Sequence, residues 1–205
     1  MDPAQLARWN QRFSVPDYIF GTAPNAFLAR QARHLRPRLR ALSVADGEGR
    51  NSVWLASQGL RVTAFDFSPV GLAKARALAA RMRVEVDYRQ SDIFAWQWEP
   101  GAYDVVAVIF TQFMGAVERR EIFAGIESAL APGGLLLMEG YRPEQLAYAT
   151  GGPKELENFY TEDLLRESFA GLEILELTAY DAEVDEGPGH QGMSALIDLV
   201  ARKPG

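Results

Sequence analysis

From residue 41 onward, short apolar runs alternate with longer stretches whose apolar side chains recur three and four positions apart. The short runs cover 41–45, 62–65, 84–88, 103–110 and 135–138, and each has strand length. Between them the spacing predicts helices over 69–82 and 117–130. Ser68 suits the N-cap of the first and Pro69 its opening position, while Ala131-Pro132-Gly133-Gly134 closes the second. Strands alternating with helices imply βαβ units and a mainly parallel sheet. The runs VVAVIF and LLLM are apolar almost throughout, as strands covered on both faces require.

The two ends differ from this middle. Residues 3–14 read as a helix with Trp9 and Phe13 on one face, and a second helix over 26–35 stops near Pro37. The aromatic segment between them reads as a lid over a ligand pocket, an arm packed on the core, or both at once. In the tail, Thr161 caps a helix through 169. Strand-like runs at 172–180 and 195–201 follow, joined by the acidic, glycine-rich loop 181–192. Two strands without an intervening helix predict an antiparallel hairpin at one sheet edge. The expected organisation is one domain: an arm or lid over 1–36, a core over 41–140, and a C-terminal helix and hairpin over 141–205.

Composition narrows the classes. The 205 residues hold 48% hydrophobic side chains, which suits a globular core. No run approaches the roughly 20 apolar residues of a membrane span, and the start lacks a secretory apolar region. With no cysteine, disulfides and thiolate metal sites are excluded, and the expectation is a cytoplasmic protein. The net charge of −6 is uneven: residues 1–138 carry 16 basic and 13 acidic side chains, residues 139–205 carry 5 and 14. That balance gives nucleic acid no broad footing. The arginines around His34 read as a solvated face. Two distant histidines give no metal-ligand spacing, so no metal is expected.

The chemistry points to the stretch ALSVADGEGRNSVW, a strand, a turn bearing Gly47 and Gly49, and a helix start. Such a turn lets a ligand approach backbone N–H groups at a helix N-terminus. A dinucleotide fingerprint would need glycine at position 52, which is serine. Asp46 and Glu48 flank Gly47, where they would repel a pyrophosphate and favour a cationic ligand. S-adenosylmethionine is such a ligand, with a sulfonium, an ammonium and no phosphate. Asp66, ending the second strand, suits ribose hydroxyls, and Asp92, after the third, suits the adenine amine. Each carboxylate alone reads more readily as a cap or turn residue; all three at strand C-termini favour a ligand site.

On these residues, with SPVGLAKAR, SDIF, YDVVAVIF and LAPGGLLLMEG, the chain resembles class I S-adenosylmethionine-dependent methyltransferases. WNQRFSVPDYIFGTAPNAFL, EGYRPEQLAYATGGPKE and DEGPGHQG resemble the small bacterial branch near the tellurite-resistance and thiopurine methyltransferases. The resemblance implies a doubly wound, Rossmann-like α/β fold with a seven-stranded sheet in the order 3-2-1-4-5-7-6, strand 7 antiparallel. It also implies cofactor contacts from Gly47, Gly49, Asp66, Phe67, Asp92, Ile93, Phe110 and Thr111. The family's first-strand acid is Ser43 here, and Asp46 is expected to supply part of the missing charge at the methionine ammonium. A histidine usual near 111–113 is absent.

Methyl transfer to a small-molecule acceptor is an in-line displacement, in which orientation supplies much of the rate. A thiolate or reduced metalloid oxyanion needs no strong base, whereas a hydroxyl does. His190, in a glycine-bounded loop, is the catalytic candidate, and its alternative role is a turn histidine. Strand-end position nominates Tyr18, Gln112, Phe113, Tyr141 and Arg142 for the acceptor pocket, with Tyr141 and Arg142 alternatively pinning the loop after the fifth strand. A cofactor-binding module without catalysis and a nicotinamide oxidoreductase are the rival classes. A monomer is expected.

Overall fold

The computed structural model describes residues 2–205. Its seven strands form one sheet in the order β3-β2-β1-β4-β5-β7-β6, as the resemblance implies. They are β1 (Arg40–Val44), β2 (Arg61–Asp66), β3 (Val86–Gln90), β4 (Tyr103–Ile109), β5 (Leu130–Tyr141), β6 (Glu173–Asp185) and β7 (Gln191–Arg202). β1 pairs with β2, β2 with β3 and β4 with β5 in parallel, while β7 runs antiparallel to both β5 and β6. The helices are α1 (Pro3–Phe13), α2 (Ala26–Arg30), α3 (Arg50–Ser57), α4 (Pro69–Met82), α5 (Ala116–Ala129), α6 (Gln145–Tyr148) and α7 (Glu162–Ser168).

Local chemistry sets the helix starts. Ser68 Oγ accepts from Gly71 N at 3.1 Å and Pro69 follows, so α4 begins where expected. Thr161 caps α7 in the same way through Leu164 N at 3.2 Å. Asn25 Oδ1 caps α2 at Leu28 N, after which the helix tightens into a 3-10 turn over Gln31–His34.

The chain divides into two compact units. The first runs to Gln97 and includes Glu186–Gly189; the second comprises Trp98–Asp185 and His190–Gly205. In the first, Val53, Leu78 and Ala79 form a buried cluster with Tyr18, Val84 and Tyr88 against it, and Phe65 stacks on Trp96 at 4.1 Å. In the second, Val105–Val108 and Leu136–Met138 are buried, and Tyr141, Phe159, Val184 and Leu196 form a further cluster.

Two expectations need correcting. The loop expected over 181–192 is mostly strand: the β6–β7 ladder continues to Asp185↔Gln191, so the turn is confined to 186–190. Backbone pairing overrides the poor strand propensity of acidic residues, whose side chains on this edge strand remain in water. The Ala131–Gly134 stretch lies inside β5 rather than ending a helix. α5 stops at Ala129, Leu130 pairs with Tyr103, and the register then jumps to Val105↔Leu135. The extra residues form a bulge that Gly133, at φ +75°, accommodates.

Candidate functional site

The glycine turn is built around Asp46. Its carboxylate accepts from Ser43 Oγ at 2.7 Å, from Ser52 N at 3.2 Å and from Ser52 Oγ. It therefore reaches back to the strand and forward to the first turn of α3, where it satisfies a helix-start N–H. Ser52 Oγ also lies 3.1 Å from the Tyr88 hydroxyl. Enclosure pushes the Asp46 carboxyl above the usual carboxylate range, and its serine donors pull against that. Gly49 has φ +91°, and a Cβ there would lie 2.6 Å from that of Ala75. Only glycine brings α3 and α4 this close.

Glu48 behaves differently from the sequence expectation. It is buried, it accepts from Ile19 N at 2.8 Å and Phe20 N at 3.4 Å, and Lys74 Nζ lies 2.5 Å from it. Its charge is neutralised inside the protein, and it anchors the N-terminal arm. Lys74 holds the same arm by donating to Val15 O and Asp17 O, and the Tyr18 hydroxyl donates to Lys74 O at 2.9 Å.

Asp66 ends β2 with both carboxylate oxygens engaged by backbone. Oδ2 accepts from Gly47 N at 2.9 Å and Oδ1 from Ser68 N at 2.8 Å. Each oxygen keeps a further lone pair for another donor. Burial pushes this carboxyl up to about 6, against the two N–H donors. Next to Asp66 in sequence, Phe67 joins Leu6, Gln90, Ser91 and Asp92 around a cavity of about 290 Å³. Asp92 Oδ1 accepts from Phe94 N at 3.1 Å, which turns the chain there, and Ile93 is buried.

Three anchors escaped sequence reading. Glu186, on the β6–β7 turn, accepts from Ala26 N at 2.8 Å, from Asn25 Nδ2 at 3.2 Å and from Arg50 Nη2 at 2.7 Å. Asn51 Oδ1 accepts from Asn25 N at 3.0 Å. Gly189 N donates to Ile19 O at 2.6 Å, and any side chain at Gly187 would collide with Gly21 N. The Arg50-Asn51 pair directly after the second glycine was the available signal, but only the fold reveals its partners.

In the second unit, Phe110 has φ +54°, a left-handed conformation rare outside glycine. Its ring packs 4.7 Å from Tyr141 and 4.5 Å from His190, and His190 lies 5.5 Å from Tyr141. His190 is 3% exposed, so it belongs to a packed aromatic group rather than to an open loop. Thr111 is buried and Phe113 half-buried. Gln112 clamps the Tyr141 backbone: Nε2 donates to Tyr141 O and Asn158 O, while Oε1 accepts from Tyr141 N. Arg142 directs its terminal nitrogens to Asp181 and Glu144. Among the described residues, no group of three or more His, Asp or Glu side chains is placed to hold a metal, and no helix is long and apolar enough to cross a membrane.

A family profile described as a methyltransferase domain matches residues 41–134. The demethylmenaquinone methyltransferase of Thermus thermophilus is 31% identical over 106 residues, covering 51% of this chain and 48% of its own length. The chain spans about half the length of the first curated relatives it matches. The N-methyltransferase NodS of Bradyrhizobium japonicum WM9, solved with S-adenosyl-L-homocysteine, superposes with a TM-score of 0.73 at 15% identity, covering 98% of each chain. TehB of Haemophilus influenzae gives 0.72 at 22% identity, over 89% of this chain and 63% of TehB. At these identities the structural likeness shows the fold.

Proposed function

The chain belongs to the class I S-adenosylmethionine-dependent methyltransferases, and on that premise we propose that it methylates a small-molecule acceptor such as a thiol or a metalloid oxyanion. The observation that carries this reading is Asp66: a buried carboxylate at a strand end, fixed by Gly47 N and Ser68 N, with acceptor capacity left for hydroxyl groups. The neighbouring cavity, with Leu6 and Phe67 as apolar lining and Gln90, Ser91 and Asp92 as polar lining, suits a nucleobase. The residues present therefore fit the cofactor.

In this reading Asp66 takes the ribose hydroxyls, Phe67, Asp92 and Ile93 the adenine, and Asp46, Gly47 and Gly49 the amino-acid end. When bound, the cofactor would supply an electrophilic methyl carbon on a sulfonium leaving group. The protein's part is orientation and exclusion of water. His190 is the candidate to contact the acceptor or take its proton. Gln112 and Arg142 commit polar atoms to the protein itself, so they would shape an acceptor pocket rather than bond within it. Phe113 and Tyr141 would supply its apolar surface. The choice of acceptor class follows the tellurite-resistance branch that the sequence resembles. The same reading places a monomer in the cytoplasm, without a nucleic-acid partner.

Incubation with S-adenosylmethionine and a panel of thiols and tellurium or selenium oxyanions, read by mass spectrometry, tests the proposal. The expected result is S-adenosylhomocysteine in equal amount with a methylated acceptor. One observation favours a second reading, a binding module without catalysis: every oxygen of Asp46 already has a partner inside the protein. Tight cofactor binding with no methylated product from any acceptor supports that reading instead.

A further inference from the structure

The first helix does more than pack. Leu6, Asn10 and Phe13 are spaced four and three residues apart, so they share one face of α1. All three meet the proposed donor site. Leu6 lines the cavity beside Asp92 and Phe67. Asn10 Oδ1 accepts from Ser68 Oγ at 2.6 Å, which ties α1 to the residue that caps α4 and donates its N–H to Asp66. Phe13 is buried over the glycine turn: a Cβ at Gly47 would be 3.4 Å from its ring, and one at Gly71 would be 3.1 Å away. Trp9 lies 5.2 Å from Phe13 and Phe20 6.5 Å from it, holding that ring from outside.

We propose that α1 is a wall of the donor site, with Leu6 a nucleobase-binding residue and the Leu6–Asn10–Phe13 face a cover running from the base pocket to the glycine turn. The proposal rests on the methyltransferase reading and adds a component that lies outside the 41–134 domain match. Two features support it. At about 290 Å³ the cavity is at the lower limit of ligand pockets, enough for a ring system but not for a whole nucleoside amino acid. A flat aromatic ligand also needs apolar surface on its faces and polar groups at its edge. Among the described residues, Phe67 is the one apolar lining residue besides Leu6; the others are Gln90, Ser91 and Asp92.

The test is calorimetric titration of S-adenosylhomocysteine, and separately of adenosine, into the wild-type chain and into L6A, L6W and the exposed-face control R8A. Circular dichroism checks each fold. L6A should weaken both ligands about tenfold, the scale of losing two buried methylenes. L6W, which fills the cavity, should abolish adenosine binding, and R8A should bind as wild type does. The more conservative L6M keeps the proposal testable should L6W unfold, and it should bind within about twofold of wild type, as volume-conserving swaps are tolerated best. Wild-type binding with L6A unchanged for both ligands overturns the proposal and leaves the methyltransferase reading standing. No binding of either ligand to the wild type defeats that reading and this one together.

Discussion

Asp66 accepts the backbone N–H of Gly47, nineteen positions earlier, at 2.9 Å. The end of one strand thereby fixes the turn that follows its neighbour. The carboxylate that would hold a ribose also holds the loop that would hold the amino-acid end of the same ligand. One side chain thus sets the spacing between the two halves of the proposed site.

If Asp66 has that dual duty, donor binding should depend on pH. Ribose hydroxyls would donate to the ionised carboxylate, and burial pushes the Asp66 carboxyl up to about 6. Protonation removes acceptor capacity, so affinity for S-adenosylhomocysteine should fall as pH drops from 7.5 to 5. Binding favours the ionised form, so the midpoint in the bound state lies below that of the free protein. Calorimetry across this range should show the fall, and Asp66→Asn should flatten it. A flat wild-type profile would take Asp66 out of the donor site.

Asp46 separates charge from capping. Asp46→Ala removes the acceptor for Ser52 N and should cost about 1 kcal/mol of stability in urea unfolding. Asp46→Asn retains an oxygen for Ser43 and Ser52 and should stay close to wild-type stability. Its affinity for S-adenosylhomocysteine should nevertheless fall, because the negative charge proposed to face the ammonium is gone. Equal affinity would leave Asp46 as a helix cap alone.

Arg50 and Glu186 form a pair with side chains only 8% and 11% exposed. Removing either one strands the other as a buried charge, so Arg50→Ala or Glu186→Ala should each destabilise by about 3 kcal/mol. The double variant should lose less than the sum. A double-mutant cycle on chemical denaturation measures the coupling, and additive losses would show the pair to be worth little.

His190 should matter to turnover but not to donor binding. His190→Phe keeps an aromatic ring against Phe110 and Tyr141, so the melting temperature should hold. With an acceptor that must lose a proton, turnover should drop about a hundredfold. With a thiolate acceptor the drop should be small. Unchanged turnover across both kinds of acceptor would remove His190 from the reaction.

The sheet was legible because its central strands are continuous apolar runs between well-marked helix caps such as Ser68 and Thr161. Strand order came from family resemblance, since periodicity cannot report which strands are neighbours. The hairpin's true length was hidden because Asp181, Glu183 and Asp185 read as loop residues, and backbone pairing to a distant partner is invisible locally. Asp46, Asp66 and Asp92 were legible as acids at strand ends. The partners of Glu48 and Gln112 were not: each is decided by tertiary contacts to Lys74 and to Tyr141. Leu6 offered no signal beyond being one apolar residue on an amphipathic helix.

The Glu186 latch also dictates when the first unit can be finished during protein synthesis. Arg50 emerges from the ribosome long before its counter-charge is translated, and Ala26 N and Asn25 wait for the same carboxylate. The nascent N-terminal half must therefore remain provisional, its guanidinium still hydrated, until residue 186 has been made and has left the exit tunnel.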